Sequence, residues 1–160
     1  MGASHDKKCR ILFVCLGNIC RSPMAEALLK KKVDPGKVVV DSAGLDSYHL
    51  GERPCRLTLE ECARHDCHPD HRARLFTVRD FDRFDRIYVM DKYNLEQVLS
   101  MARNEADKAK VRLILDEVYP GEGLDVPDPY MQGGEMIRLV YQLLDKATDR
   151  IAEKINRGEC

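Results

Sequence analysis

The chain has 160 residues, 44% hydrophobic and 33% charged, so a single domain with a sizeable core beneath a solvated surface is expected. A balance of 26 basic against 27 acidic side chains gives a formal charge of −1, which excludes bulk charge as a grip on nucleic acid or anionic membrane. No apolar run approaches the roughly 18 residues of a bilayer span.

Residues 1–8 carry no hydrophobic leader-like stretch, and no lipidation pattern is met, since Asp6 stands where Ser or Thr is required and Cys160 is the last residue. The expectation is therefore a soluble, cytoplasmic domain over 1–160 with residues 1–8 flexible. Ile11–Val14 is the first short apolar run, and Val38–Val40, Ile87–Met90 and Leu113–Leu115 repeat the pattern. Continuous apolarity of this kind suits strands buried on both faces, as in parallel sheets. Between the first two runs, Pro23–Lys32 reads as a helix, with Ser22 as its cap and Pro23 at its first position; its terminal lysines read as a solvated end. Further helices are expected near Cys55–Arg64 and Asn94–Arg103. From Gly134 to Ile155, the residues Ile137, Val140, Leu144, Ala147, Ile151 and Ile155 recur at steps of three and four, an apolar stripe to lay on the sheet. Strands alternating with helices predict an α/β domain of three layers, a small, mostly parallel four-stranded sheet with helices on both faces. Ligands bind such sheets beyond the carboxyl ends of their strands, which directs attention to the residues after Val14.

There the sequence reads Cys15-Leu16-Gly17-Asn18-Ile19-Cys20-Arg21-Ser22-Pro23. A five-residue loop containing Gly17 and Asn18, two residues that tolerate positive φ, can curl its successive N–H groups inward. The following helix adds unpaired amides and a positive dipole end. A tetrahedral oxyanion fits such a cup, and the Arg21 guanidinium offers paired donors to two of its oxygens. Cys15 lies at the base, where the same dipoles favour its thiolate as a nucleophile toward phosphorus. A departing oxygen needs a proton, so a carboxylic acid is expected nearby on a separate loop. Val126-Pro127-Asp128-Pro129-Tyr130 supplies Asp128 within a stiff segment, with Tyr130 as an aromatic wall. With Cys15 required ionised and Asp128 protonated, an acidic optimum follows.

Over nearly its full length the chain resembles the low-molecular-weight protein tyrosine phosphatases. The stretch from Val14 to Glu26 and Asp128-Pro129-Tyr130 carry the resemblance, with Asp41-Ser42-Ala43-Gly44, His71-Arg72-Ala73-Arg74 and Met90-Asp91 in the expected order between them. The resemblance implies hydrolysis of protein phosphotyrosine through a cysteinyl-phosphate on Cys15, with Arg21 on the phosphate and Asp128 as acid and then base. It further implies that Leu16, Gly17, Asn18, Ile19, Cys20 and Ser22 form the phosphate-binding loop, Ser22 helping the sulfur leave and Asn18 holding a left-handed turn. Ser42 and His71 would support that loop from behind. No cofactor or metal is implied; the implied partners are phosphotyrosine proteins and phosphate or other oxyanions in the loop, with no nucleic acid or membrane, and the state a monomer or weak dimer. Ile19 favours phosphotyrosine, because relatives with Thr there resemble protein-arginine phosphatases. Tyr48, at a position often Trp in relatives, would form a slot with Tyr130 deep enough for a phenyl ring. Only one tyrosine follows Asp128-Pro129, so a two-site phosphorylation scheme is not supported.

Seven cysteines, an odd number, without an export signal predict reduced thiols rather than a disulfide framework. Cys20 offers Cys15 a partner for a protective reversible disulfide; a small buried loop residue is the alternative. The cluster Cys55, Cys62, His65, Cys67, His68 and His71 lacks a Cys-x2-Cys pair and resembles no common zinc site. A thiol-linked arsenate reductase of the same fold would need later cysteines, yet residues 68–159 contain none. A binding module without turnover would need no trio of Cys15, Arg21 and Asp128.

Overall fold

The computed structural model describes residues 7–129 and 134–160. Of the flexible segment expected at 1–8, residues 1–6 lie outside this range, as does Tyr130. Four strands, β1 (Cys9–Cys15), β2 (Val38–Gly44), β3 (Arg86–Val89) and β4 (Val111–Leu113), form one sheet in the order β2-β1-β3-β4. Every pairing is parallel. The helices are α1 (Arg21–Lys30), α2 (Arg56–Ala63), α3 (Asp80–Arg83), α4 (Lys92–Met101), α5 (Glu105–Ala109) and α6 (Gly134–Asn156), and a 3-10 turn spans Ile114–Glu117.

Side chains of β1 alternate between two cores, as the period of two requires. Ile11, Phe13 and Cys15 face a core shared with α1 and α6, and Leu12 and Val14 face one built from Phe76, Phe81, Phe84, Ile87, Val89 and Val98. Those two cores are the spaces between the three layers expected from the apolar runs. The α6 stripe is buried at Ile137, Val140, Leu144, Ala147 and Ile151, while Ile155 is only partly covered. Its neighbours are chiefly α1, α2 and the 3-10 turn rather than the strands themselves.

Three local expectations need correction. Helix α1 begins at Arg21, two residues before the proline, with Cys20 as its N-cap; Ser22 sits inside the first turn because its hydroxyl is committed elsewhere. Lys32 is not a solvated end: its ammonium meets Asp145 at 2.7 Å, Asp149 at 2.8 Å and Thr148 at 2.8 Å on α6. Finally, Cys9 and Cys160 form a disulfide, their Cα atoms 5.6 Å apart across a sequence separation of 151. The C-terminal turn after α6 returns to the start of β1, an encounter set by tertiary packing that local reading does not reveal. In chain-entropy terms, closing so large a loop stabilises by about 5 kcal/mol.

The parallel register aligns the carboxyl ends of three strands. Cys15 pairs with Gly44, and Val14 with Val89, so Leu45, Asp91 and the loop after Cys15 emerge side by side. The order β2-β1-β3 places a topological switch at β1, where the connections diverge and leave a crevice.

Candidate active site

Cys15 ends β1 and is 2% exposed; Arg21 starts α1 and is equally buried. The loop between them is pinned from outside through its carbonyls. Leu16 accepts from the N–H groups of Leu45 at 2.8 Å and Asp46 at 2.9 Å, and Ile19 accepts from Cys55 at 2.7 Å. With those carbonyls turned outward, the N–H groups of residues 17–20 have no backbone carbonyl partner among the described residues. The first amides of α1 point the same way, as helix N-termini do.

Asn18 makes the turn at φ 56°, in the left-handed region. Its side chain is 1% exposed and every polar position is used. The amide Nδ2 donates to Ser22 Oγ at 2.8 Å and Ser42 Oγ at 3.0 Å, while Oδ1 accepts from the Arg74 N–H at 2.9 Å and meets His71 Nε2 at 2.7 Å. The backbone donor fixes which end of the amide is oxygen, and His71 therefore donates. Ser42 in turn donates to Glu26 Oε1 at 2.6 Å, and His71 Nδ1 lies 3.3 Å from the same oxygen. Gly44 is required here: a Cβ would meet Asn18 Cβ and the Leu16 carbonyl, each at 2.9 Å. Because Ser22 Oγ already accepts from Asn18, its proton is available to Cys15 Sγ, 3.0 Å away.

Arg21 is held from behind by Asp91 at 2.8 Å and the Val126 carbonyl at 2.9 Å, both bound to Nη1. Its other terminal nitrogen lies 3.5 Å from Asp128 Oδ2. Burial opposes the guanidinium charge, but the Cys15 sulfur and the Asp91 and Asp128 carboxylates outweigh it and raise its pKa. Asp91 serves two elements at once, since its Oδ1 caps α4 by accepting from the Asn94 N–H at 2.8 Å.

A cavity of about 380 Å³ opens over the loop, lined by Cys15, Leu16, Gly17, Ile19, Cys20, Arg21, Asp46, Tyr48, His49 and Asp128. Eight residues singled out from the sequence thus share one cavity. Asn18, Ser22, Ser42 and His71 stand behind it. Tyr48 is 79% exposed and meets the His49 ring edge-on, with centroids 4.8 Å apart. The second slot wall, Tyr130, lies outside the described residues. Sequence reasoning gave no role to Asp91, Glu26, Asp46 or His49. Asp91 was the legible one, as an acid directly after a buried strand at the ligand-binding end of the sheet.

The cysteine and histidine cluster disperses. His65 lies 3.0 Å from Glu61 and stacks on Tyr141 at 3.9 Å, exposed His68 faces Asp66, and His71 serves Asn18. Cys67 donates its N–H to the Cys62 carbonyl at 2.9 Å, and the two neighbouring side chains act on each other, raising the Cys62 thiol and lowering that of Cys67. Among the described residues, close groups with metal-ligand chemistry are Cys9, Asp85 and Cys160, whose thiols are joined, and Glu26, Asp41 and His71, part of the loop support. No described helix is long and apolar enough to cross a membrane.

Comparison with known proteins assigns this geometry. Residues 10–159 match the model of the family "Low molecular weight phosphotyrosine protein phosphatase". A Schizosaccharomyces pombe member is 39% identical over 145 residues, covering 87% of this chain and 92% of that protein. Among solved structures, a protein tyrosine phosphatase from Entamoeba histolytica, with Hepes in its active site, superposes with a TM-score of 0.88 at 32% identity, covering 96% of this chain and all of that one. YfkJ from Bacillus subtilis gives 0.86 at 37% identity, covering 96% and 98%. The chain belongs to the low-molecular-weight phosphotyrosine protein phosphatase family.

Proposed function

We propose that this protein hydrolyses phosphotyrosine on proteins in two displacements at phosphorus. Cys15 attacks the phosphoryl group in line and forms a cysteinyl-phosphate, while Asp128 protonates the departing tyrosyl oxygen. Water then attacks the intermediate, Asp128 takes its proton, and Ser22 donates to the sulfur as it leaves. The loop amides and Arg21 hold the equatorial oxygens, where charge is spread during transfer. Asp91 orients Arg21, and Asn18, with Ser42, Glu26 and His71 behind it, keeps the loop curled. The reaction requires neither metal nor organic cofactor.

The observation that carries this reading is the alignment of Cys15 Sγ, 3.0 Å from Ser22 Oγ, beneath a cavity whose mouth holds Asp128 within 3.5 Å of Arg21. Such an arrangement supplies nucleophile, oxyanion donors and acid from three chain segments. For the substrate, Tyr48 at the rim provides a face for a phenyl ring, and a shorter phosphoserine would leave its phosphate short of Cys15. Ile19 on the lining favours phosphotyrosine over phosphoarginine. We place the enzyme in the cytoplasm as a monomer or weak dimer.

The test is a hydrolysis panel of phosphotyrosine, phosphoserine and phosphoarginine with wild type and Cys15→Ser. The expected result is turnover of phosphotyrosine, abolished in Cys15→Ser while phosphate binding persists. Wild-type turnover by Cys15→Ser would refute the mechanism, and preference for phosphoarginine the substrate assignment.

A further inference from the structure

Apart from the proposed nucleophile, the cysteines lie two by two: Cys9 is joined to Cys160, Cys67 donates its N–H to the Cys62 carbonyl, and Cys55 packs against Cys20. Only the last pair reaches the active site. Cys20 lines the cavity with Cys15, and Cys55, at the start of α2, packs against it. The two are held in register by backbone: the Cys55 N–H donates to Ile19 at 2.7 Å, and Thr58, 3.4 Å from Cys55 Sγ, donates to the Cys20 carbonyl at 3.0 Å. Both belong to one apolar cluster with Ile19 and Ala73.

Cys20 therefore shares the cavity with Cys15 and its packing with Cys55. We infer that Cys55 is a second resolving cysteine, which takes over a Cys15–Cys20 disulfide and returns Cys15 to service as a free thiolate. The inference rests on the assignment of Cys15 as the reactive thiolate of the proposed phosphatase.

With hydrogen peroxide as oxidant, the steps balance. The Cys15 thiolate attacks one peroxide oxygen, giving a sulfenic acid and hydroxide. Cys20 sulfur displaces the sulfenic hydroxyl, which leaves as water with the Cys20 proton, and a Cys15–Cys20 disulfide forms. The Cys55 thiolate then attacks Cys20 sulfur; the Cys20–Cys55 bond forms as the Cys15–Cys20 bond breaks, and its electron pair leaves on Cys15. One peroxide is reduced, two thiols are oxidised, and the nucleophile ends as it began.

Two features favour the last step. Cys55 is half-buried rather than sealed. The neighbouring Cys20 side chain also draws the Cys55 thiol down to about 6 against the effect of burial, and the Thr58 and Leu57 groups at the start of α2 assist. The same contact and burial raise the Cys20 thiol. Exchange is fastest when the attacking sulfur is ionised and seated beside its target.

The experiment treats the full chain with hydrogen peroxide, removes the excess with catalase, and follows aryl-phosphate hydrolysis without added reductant, each protein normalised to its untreated rate. In parallel, non-reducing tryptic peptides are mapped by mass spectrometry. Cys15 and Cys20 share the peptide 11–21, whereas Cys55 lies on 38–56, so a Cys20–Cys55 bond joins two peptides and a Cys15–Cys20 bond closes a loop within one. The expected result is loss and then spontaneous recovery of activity in wild type, with the joined peptides growing as activity returns. Cys55→Ser and Cys55→Ala would stay inactive until dithiothreitol is added, locked in the looped peptide. A wild type that retains only the looped peptide, or serine and alanine variants that recover at the wild-type rate, would overturn the inference. An untreated protein without hydrolysis would instead defeat the phosphatase reading.

Discussion

Beneath the cavity Asn18, Ser22 and Ser42 are 1% exposed or less, whereas at its rim Tyr48 is 79% exposed and the Asp128 side chain 46%. The floor is a closed set of polar groups, each assigned to a particular partner; the rim is open to water. Buried polar atoms must be paired or they cost about 1–3 kcal/mol each, so the floor can hold a left-handed asparagine and a curled loop only as one unit. A rim facing water carries no such obligation. The contrast separates two tasks: the floor fixes where phosphorus and sulfur meet, and the rim chooses what is attached to the phosphorus.

Substitutions on either side can break or sharpen that division. The largest effect is expected from the one rim residue assigned to bond breaking. Asp128→Asn should lower kcat by about 10²–10⁴-fold on phosphotyrosine and much less on an aryl phosphate whose phenol leaves readily. Equal losses for both esters, measured at steady state, would remove Asp128 from proton transfer.

Next comes the floor. Asn18→Ala strands Ser22, Ser42, His71 and the Arg74 N–H together and leaves an alanine in the left-handed region, so a loss of about 3 kcal/mol or more in stability is expected. For a chain of this length that corresponds to a fall in melting temperature of roughly 6–12 °C, with kcat reduced alongside. An unchanged melting temperature would show that the floor is not a unit.

The smallest effect belongs to the outer rim. Tyr48→Ala should weaken aryl-phosphate binding by about 2–10-fold, the worth of a ring contact of about 0.5–1.5 kcal/mol, and leave inhibition by inorganic phosphate unchanged. Equal losses for the two ligands would deny Tyr48 its role as a slot wall.

The floor and rim were not equally legible in the sequence. The cup was readable because strand, loop and helix are contiguous: Cys15, Gly17, Asn18 and Arg21 lie within seven positions, and the anion chemistry follows from those residue types alone. The four apolar runs gave the sheet for a similar reason, since burial on both faces leaves a local mark. What joins distant segments leaves none. Asp91 meets Arg21 only because β3 lies beside β1 in parallel register, and Glu26 meets Ser42 and His71 only once α1 crosses the end of β2. Cys9 and Cys160 are neighbours solely through the path of α6. Ser22 shows a subtler limit. A serine before Pro looks like a helix cap, and nothing local distinguishes a hydroxyl committed to a backbone N–H from one committed to the sulfur seven residues before it.

The claim on which the rest depends is that phosphate is transferred to the sulfur of Cys15. Its most direct test is acid quench of Asp128→Ala during hydrolysis of an aryl phosphate with a good leaving group, followed by mass spectrometry of the peptide 11–21. The account predicts a phosphorylated peptide with the phosphoryl group on Cys15, present in the burst and absent from Cys15→Ser. A phosphoryl group found on any other residue, or phenol release with unmodified Cys15 throughout the burst, would contradict it.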